Sequence, residues 1–492
     1  MNDILILILV LPLIFSVTIF FSPLNFKVLL NLHVAFNAII SIFLIYAIRL
    51  VIKNDYIYAF KEFLFLDSLG AVFLLIISIT GFLVSLYMIT YMKWELEAGH
   101  ATLRRVKNYF ALSFIFTWTM ILSVICNNIA FMWAAIEGTT LSSVFLVALN
   151  KDKKSTESGY KYIVICSIGL AFALYATILL YCAGNESVVG DNMLFTNLIK
   201  NSENLNKDAL KLIFIFALIG FGTKAGLVPT HTWLPDVHAE GPAPTSALLS
   251  GILLKCAILG LIKYYAIVGN GLGFDFVKDV MIVSGIATLF VAGFFLIRQH
   301  DVKRMFAYHS VVHMGVIAFG LGVGGYLGIF AAIFHCIAHS FTKALAFCTT
   351  GNMAKIYGTK DMSKMGGMIK IAPLTTVLFG ISICSLVGVP GFAIFVSEFW
   401  IFQAAAINSQ YTLMAVFGLA LVIIFIADFS HFFMASFGDV KGEVKFAKEM
   451  KLIENLPLIA LAALIISFGI WQFDTFIDLI NNSVAIINGN KE

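Results

Sequence analysis

Apolar runs long enough to cross a bilayer recur throughout this 492-residue chain, and no other feature narrows its possible folds so far. A hydrocarbon core of ~30 Å needs roughly 20 apolar residues in a helix. Inside it, each backbone N–H and C=O has to be paired within its own segment. The runs fall at 3–22, 28–52, 64–92, 106–125, 127–149, 160–182, 209–228, 242–268, 277–297, 305–323, 325–350, 372–402, 411–437 and 455–480. With 60% hydrophobic residues, 12% charged residues and a mean hydropathy of +0.95, the pattern predicts an all-α polytopic membrane protein of about 14 transmembrane helices. Three runs exceed the spanning length and are expected to be tilted, broken or extended. Met1 to Phe21 has no basic flank and reads as a first membrane helix, not a cleaved signal. The seven cysteines show no CxxC or CxxxC spacing, which supports neither a disulfide framework nor a metal cluster.

Orientation follows from the basic residues, which favour cytoplasmic loops. Loops after odd-numbered spans hold twenty Lys and Arg, against eight after even-numbered spans, so the odd loops are expected inside and both termini outside. One further lysine, Lys491, lies in the tail. Three of the 32 basic residues remain, all within spans: Lys224, Lys255 and Lys343. A charge at membrane depth costs roughly 2.5 to 3.5 kcal/mol on insertion scales, so each needs a reason other than solvation.

The stretch GTKAGLVPTHTWLPDVHAEGPAPTSALLSGILLKC, residues 222–256, places Lys224 before a helix break at Pro229 and Lys255 after it. Broken helices are tolerated in bilayers only where the freed backbone faces protein or water, which is how ion sites are built in transporters. Between the lysines, His231, Asp236 and His238 are candidates for a proton inlet, with helix capping as the plainer alternative. The twelfth span repeats the theme: Gly388, Pro390 and Gly391 break it and Glu398 follows two turns later. Breaks five spans apart suggest two inverted five-helix repeats. The expected division is an N-terminal three-helix segment at 1–105, repeats at 106–268 and 269–437, and a last helix with tail at 438–492.

Acidic groups join the lysines at membrane depth: Glu137 in the fifth span, Glu398 in the twelfth, Asp428 in the thirteenth and Asp67 at the start of the third. Each is expected to be paired or hydrated. Glu137 with Lys224 is the preferred pair, because a carboxylate that moves toward or away from a lysine changes how readily it keeps its proton. Asp428 is a possible outlet, while Asp67 more plausibly supports packing. The eleventh span carries His335, His339 and Lys343 at i, i+4 and i+8, one face of a helix spread over roughly 12 Å. Histidine titrates near neutral pH and has two ring nitrogens, so such a ladder suits proton transfer. No metal is expected there, since the HExxH glutamate is missing. His309, His313 and His431 lie near span ends and are expected at the interface. The segment KGEVKFAKEMK, 441–451, suggests a short surface helix.

Four motifs in order carry a resemblance: NNIAFMWAAIEGTTLSSVFLVAL, the lysine stretch above, HSFTKALAF and GVPGFAIFVSEF. Together they resemble the antiporter-like subunits of respiratory complex I, multisubunit cation/proton antiporters and membrane-bound group 4 NiFe hydrogenases. The run from 109 to 149 is most similar to the hydrogenase-4 component F branch. The resemblance implies fourteen helices in two inverted repeats and a central chain of charges. By motif position, Glu137 and Lys224 would be the coupled pair, Lys255 with His335 and His339 the central relay, and Glu398 the terminal carrier. Lys343 matches a lysine of some branches only. Glu398 stands where the distal complex I subunit has lysine, and the chain ends without that subunit's long lateral helix.

The resemblance therefore implies a proton-translocating subunit of a group 4 hydrogenase (formate hydrogenlyase-like) complex in the bacterial inner membrane. No cofactor is expected in this chain, and no haem, flavin or nucleotide motif occurs. NiFe and Fe-S centres would belong to a peripheral hydrogenase arm, with antiporter-like and quinone-site-like membrane subunits as further partners. Nucleic acid is not expected. A complex I or Na+/H+ antiporter subunit is the nearest alternative, and a non-pumping membrane anchor the alternative of another class.

Overall fold

The computed structural model describes residues 3–150, 152–185, 188–441, 444 and 449–489, and these are almost entirely helical. The first segment comprises α1 (Asp3–Phe21), α2 (Phe26–Asn54), a hairpin of β1 (Ile57–Ala59) and β2 (Leu64–Leu66), and α3 (Ser68–Glu97). Next come α4 (Leu103–Ile125), α5 (Ile129–Val147), α6 (Lys153–Gly184), α7 (Phe195–Lys200), α8 (Lys207–Ala225), α9 (Trp233–Glu240), α10 (Ala243–Leu248) and α11 (Leu254–Leu272). The rest is α12 (Phe274–Ile297), α13 (Val302–Val323), α14 (Gly325–Tyr357), α15 (Met368–Ile371), α16 (Pro373–Leu386), α17 (Ala393–Ile407), α18 (Tyr411–Ser436), α19 (Leu452–Ile470) and α20 (Asp474–Ile487).

Polar residues between the apolar runs start the helices. Asn25, Asp67, Thr102, Asn128, Asp152, Asn206 and Asp301 each accept a backbone N–H in the first turn of the helix that follows. Asp67 is thus a cap, in keeping with the structural role expected of it. Of the segment 441–451, residues 442–443 and 445–448 lie outside the described residues. Its Glu449 accepts from the Thr375 N–H at 2.5 Å and so caps α16.

Among the described residues, twelve helical stretches are long and apolar enough to cross a membrane, α10 through α11 counting as one. The expected seventh span is α8, which carries Lys207, Asp208, Lys211 and Lys224. The expected twelfth is divided into the shorter apolar helices α16 and α17. The last expected run, 455–480, is not one span but α19 and α20. The 14 residues of α20 rise about 21 Å, short of a ~30 Å core. Its buried residues, Leu479, Ile480, Ser483, Val484 and Ile487, form a single stripe against α3, α11 and α14. α20 is amphipathic, with Asp474, Asp478, Asn481 and Asn482 beside its apolar stripe, and a hydropathy window merges the start of that stripe with α19.

An inner layer of α10–α11, α13 and α14 is buried along almost its whole length, whereas α2, α6, α12, α18 and α19 leave most side chains outward. Helices in lipid associate through close packing of small residues. A Cβ on Gly220 of α8 would lie 2.5 Å from the Ala173 Cβ of α6, and one on Gly169 of α6 would lie 2.5 Å from Thr223. This contact holds α8, and with it Lys224, against α6.

Candidate functional site

Both helix breaks expected from the sequence are present. α8 ends at Ala225, where Gly226 takes a left-handed conformation, and the chain passes through Pro229, after a cis bond, before α9 begins at Trp233. α16 ends at Leu386, and Gly388 and Gly391 have positive φ before α17 begins at Ala393. The positive φ of Gly388 favours glycine, and a Cβ there would push the Glu398 carboxylate from its place.

Glu137 and Lys224 do not form a direct ion pair. The Thr140 hydroxyl stands between them, accepting from Lys224 Nζ at 2.7 Å and donating to Glu137 Oε2 at 3.3 Å. Glu137 also accepts from Ser167 Oγ at 2.5 Å. Fully buried Lys224 donates a second bond to the Tyr162 hydroxyl at 2.7 Å, and that hydroxyl meets Ser143 Oγ at 2.8 Å. Thr140 lies one turn further along α5 than Glu137, so the two side chains share a helix face.

Lys255 lies just past a π-helical turn, Leu249–Leu253, a distortion that often marks functional sites. Its Nζ donates to the Ser250 carbonyl at 2.6 Å and meets His339 Nδ1 at 2.5 Å. No hydrogen bond between described residues joins this group to Lys224. Beyond His339 the row continues through His313, whose ring lies 4.9 Å from that of His339 and whose Nδ1 is 3.0 Å from His335 Nε2. His335 Nδ1 is then 2.8 Å from Ser397 Oγ, beside Glu398.

Donor logic assigns the protons. Ser397 donates to the Ile394 carbonyl at 2.7 Å, so it accepts from His335 Nδ1, and His335 Nε2 accepts from His313 Nδ1. His339, accepting from Lys255 at Nδ1, carries its proton on Nε2. The nitrogens left over, His339 Nε2 as donor and His313 Nε2 as acceptor, are both buried without a partner among the described residues. These tautomers leave each imidazole from His339 to His335 with one donor and one acceptor nitrogen.

His313 was expected at an interface; it is 1% exposed and central. His309 and His431 are likewise buried, and His309 Nε2 contacts Asp428 on α18. His309 and His313 are one turn apart on α13, and His313 is at the middle of that helix, not at an end. Lys343 shares a helix with His335 and His339 but turns away, donating to the Phe306 carbonyl at 2.5 Å between the rings of Phe306 and Phe347. His238 stacks on Phe347 with centroids 4.6 Å apart. Asp236 is tied to Arg304 at 2.5 Å and Lys161 at 3.3 Å, and His231 faces Tyr308. Two lysines counted with loops are in fact buried: Lys263 donates to the Cys126 carbonyl, and Lys303 to the Gly241 carbonyl at 2.6 Å. Among the described residues no three His, Cys, Asp or Glu side chains converge as a metal site.

Residues 126–424 match the family model described as NADH:quinone oxidoreductase/Mrp antiporter, TM. A hydrogenase-4 component F homolog of Methylacidiphilum infernorum (isolate V4) is 31% identical over 413 residues, covering 83% of this chain and 86% of the relative. The fold is that of a chain in the membrane-bound sulfane sulfur reductase, an archaeal respiratory membrane complex, with a TM-score of 0.86 at 22% identity over 99% of this chain and 98% of that one. A chain of the Mrp complex from Dietzia sp. DQ12-45-1b has the same fold, with a TM-score of 0.85 at 18% identity over 99% and 97% of the two chains. With its family motif, its helical membrane architecture and its buried row of charges, the chain belongs to the NADH:quinone oxidoreductase/Mrp antiporter transmembrane family, as a multi-pass, antiporter-like membrane subunit.

Proposed function

We propose that this chain is the proton-translocating subunit of a redox-driven membrane complex of the group 4 hydrogenase type, set in a bacterial inner membrane with both termini outside. The observation that carries the reading is the near-continuous row Lys255–His339–His313–His335–Ser397 leading to buried Glu398, flanked by the Glu137–Thr140–Lys224 unit. A scaffold has no need of a directed set of histidine tautomers at membrane depth, where such groups are costly. In this reading, a change at the partner-facing side shifts Glu137, which alters the hold of Thr140 on Lys224. The proton released moves to Lys255 and along the row. Moving one charge against 100 mV needs ~2.3 kcal/mol, which the redox reaction of partner subunits would supply. Those partners are further antiporter-like and quinone-site-like membrane subunits and a peripheral arm holding NiFe and Fe-S centres. The similarity to a hydrogenase-4 component F homolog favours that assembly over a complex I or Mrp one.

The test is redox-driven proton uptake by inverted membrane vesicles carrying the whole complex, comparing native protein with Lys224→Ala at matched assembly. Reduced uptake with the subunit still in place is the expected result. Unchanged uptake would make Lys224 structural and remove the reading.

A further inference from the structure

The row described above does not have a single end. His313 faces His335 on one side, with Nδ1 3.0 Å from His335 Nε2. One turn back along α13, His309 stacks near it with ring centroids 5.8 Å apart, and His309 Nε2 contacts Asp428 Oδ2 on α18. His309 and Asp428 are both completely buried, and Asp428 Oδ1 and His309 Nδ1 have no other partner among the described residues. Glu398 matches this at the other end: it is 4% exposed and its Oε1 is also unpartnered. The Asp428 carboxylate on α18 is thus approached from His313 through His309, while the other limb runs through His335 to Ser397, the residue before Glu398 on the adjacent helix α17.

We propose that His313 is a branch point at which the proton row divides between a Glu398 limb through His335 and an Asp428 limb through His309. This rests on the proton-relay reading above. A proton held on His313 faces two acceptor routes. The His335 route is already hydrogen-bonded, whereas the His309 route needs a ring rotation, because 5.8 Å between centroids exceeds direct hydrogen-bond reach. The limbs therefore differ in readiness, and the state of Asp428 governs the slower one. Lys343 sits beside this limb, its Nζ 5.3 Å from the Phe306 ring centre, which in turn lies 6.3 Å from the His309 ring.

Parallel limbs and a series path give opposite patterns in a double-mutant cycle. Redox-driven proton uptake would be measured with the whole complex in vesicles, for native protein, Glu398→Gln, Asp428→Asn and the double variant, at matched assembly. The fork predicts that Glu398→Gln, which removes the readier limb, lowers uptake by about threefold, that Asp428→Asn lowers it by less than twofold, and that the double change abolishes it, a strongly non-additive result. A series path gives complete loss in each single variant, and a structural Asp428 leaves the double variant equal to Glu398→Gln; either outcome overturns the fork. Because removing one partner of a buried pair can impair folding, the paired change His309→Gln with Asp428→Asn is measured as well. It keeps a neutral hydrogen bond and similar packing but cannot exchange a proton. The fork predicts the same partial loss as Asp428→Asn alone, and native uptake in this pair would overturn it. Lys255→Met separates the two readings: if it leaves native uptake unchanged, the relay itself fails, whereas its loss of uptake beside an unaffected Asp428 set refutes the branch alone.

Discussion

Lys255 Nζ and His339 Nδ1 meet at 2.5 Å across helices 84 residues apart in sequence, in the most buried layer of the protein. An ammonium at this contact donates and the imidazole accepts, which puts the proton of His339 on Nε2. Lys255→Met keeps the length and apolar stem of the side chain but has no proton to give. Redox-driven uptake is expected to fall by about tenfold or more, the usual scale for losing a proton-transfer group. Assembly, followed by native gel, should be kept, because methionine fits irregular cores. Full uptake in this variant would remove Lys255 from the path.

Thr140 makes a narrower prediction. Among the described residues its hydroxyl is the one bridge between Glu137 and Lys224, so Thr140→Val separates the two groups while preserving shape. A buried donor left with fewer acceptors costs about 1–3 kcal/mol, and uptake should fall while Thr140→Ser restores it. The discriminating measurement is the serine rescue; equal loss in both variants would mean that packing, not the hydroxyl, matters.

Much of this site was legible in the sequence because intramembrane charge is rare enough to stand out. Lys224, Lys255, Glu137 and Glu398 are named by that rule alone, and the Gly and Pro breaks beside them by backbone geometry. What escaped was of two kinds. Thr140 and Ser397 are ordinary in membrane helices, and only three-dimensional placement shows that they bridge charges. Lys263 and Lys303 sit near the ends of apolar runs, where a residue in a loop and one buried in the next helix look alike, whereas His313 is at the middle of its helix and was misplaced at an end. The split of the last run into α19 and α20 escaped because hydropathy averages over a window and does not register the turn between an apolar helix and the short amphipathic one that follows.

The α6–α8 contact predicts a packing effect independent of proton movement. A Cβ on Gly220 would come within 2.4 Å of the Ala173 backbone nitrogen, which cannot give way as a flexible side chain does. Gly220→Ala should therefore destabilise the subunit by about 1–3 kcal/mol, the range for overpacking, and lower its melting temperature in detergent. Gly99→Ala is the control: nothing lies within 4 Å of its added Cβ, although its positive φ adds a smaller strain. A native melting temperature for Gly220→Ala would show that the two helices are less closely packed than described.

At the start of α6, outside the bilayer, Asp152 accepts from the Ser155 N–H at 2.6 Å. That bond comes first, and the Ser155 hydroxyl adds to it, in holding the Asp152 carboxyl below its usual range. A depressed folded-state pKa contributes stability that is present above the unfolded value and is lost as pH falls through the folded one. The cap should thus act at neutral pH and fade below about pH 4, the unperturbed value for aspartate. Asp152→Ala is expected to cost about 0.5–2 kcal/mol at neutral pH, the ordinary worth of an N-cap. Amide hydrogen exchange at Ser155 and Thr156 reads it directly: the variant should exchange faster than native at pH 7, and the two should converge as the solution is acidified toward pH 3. A difference that persists undiminished in acid would mean that the carboxylate charge contributes nothing to the cap.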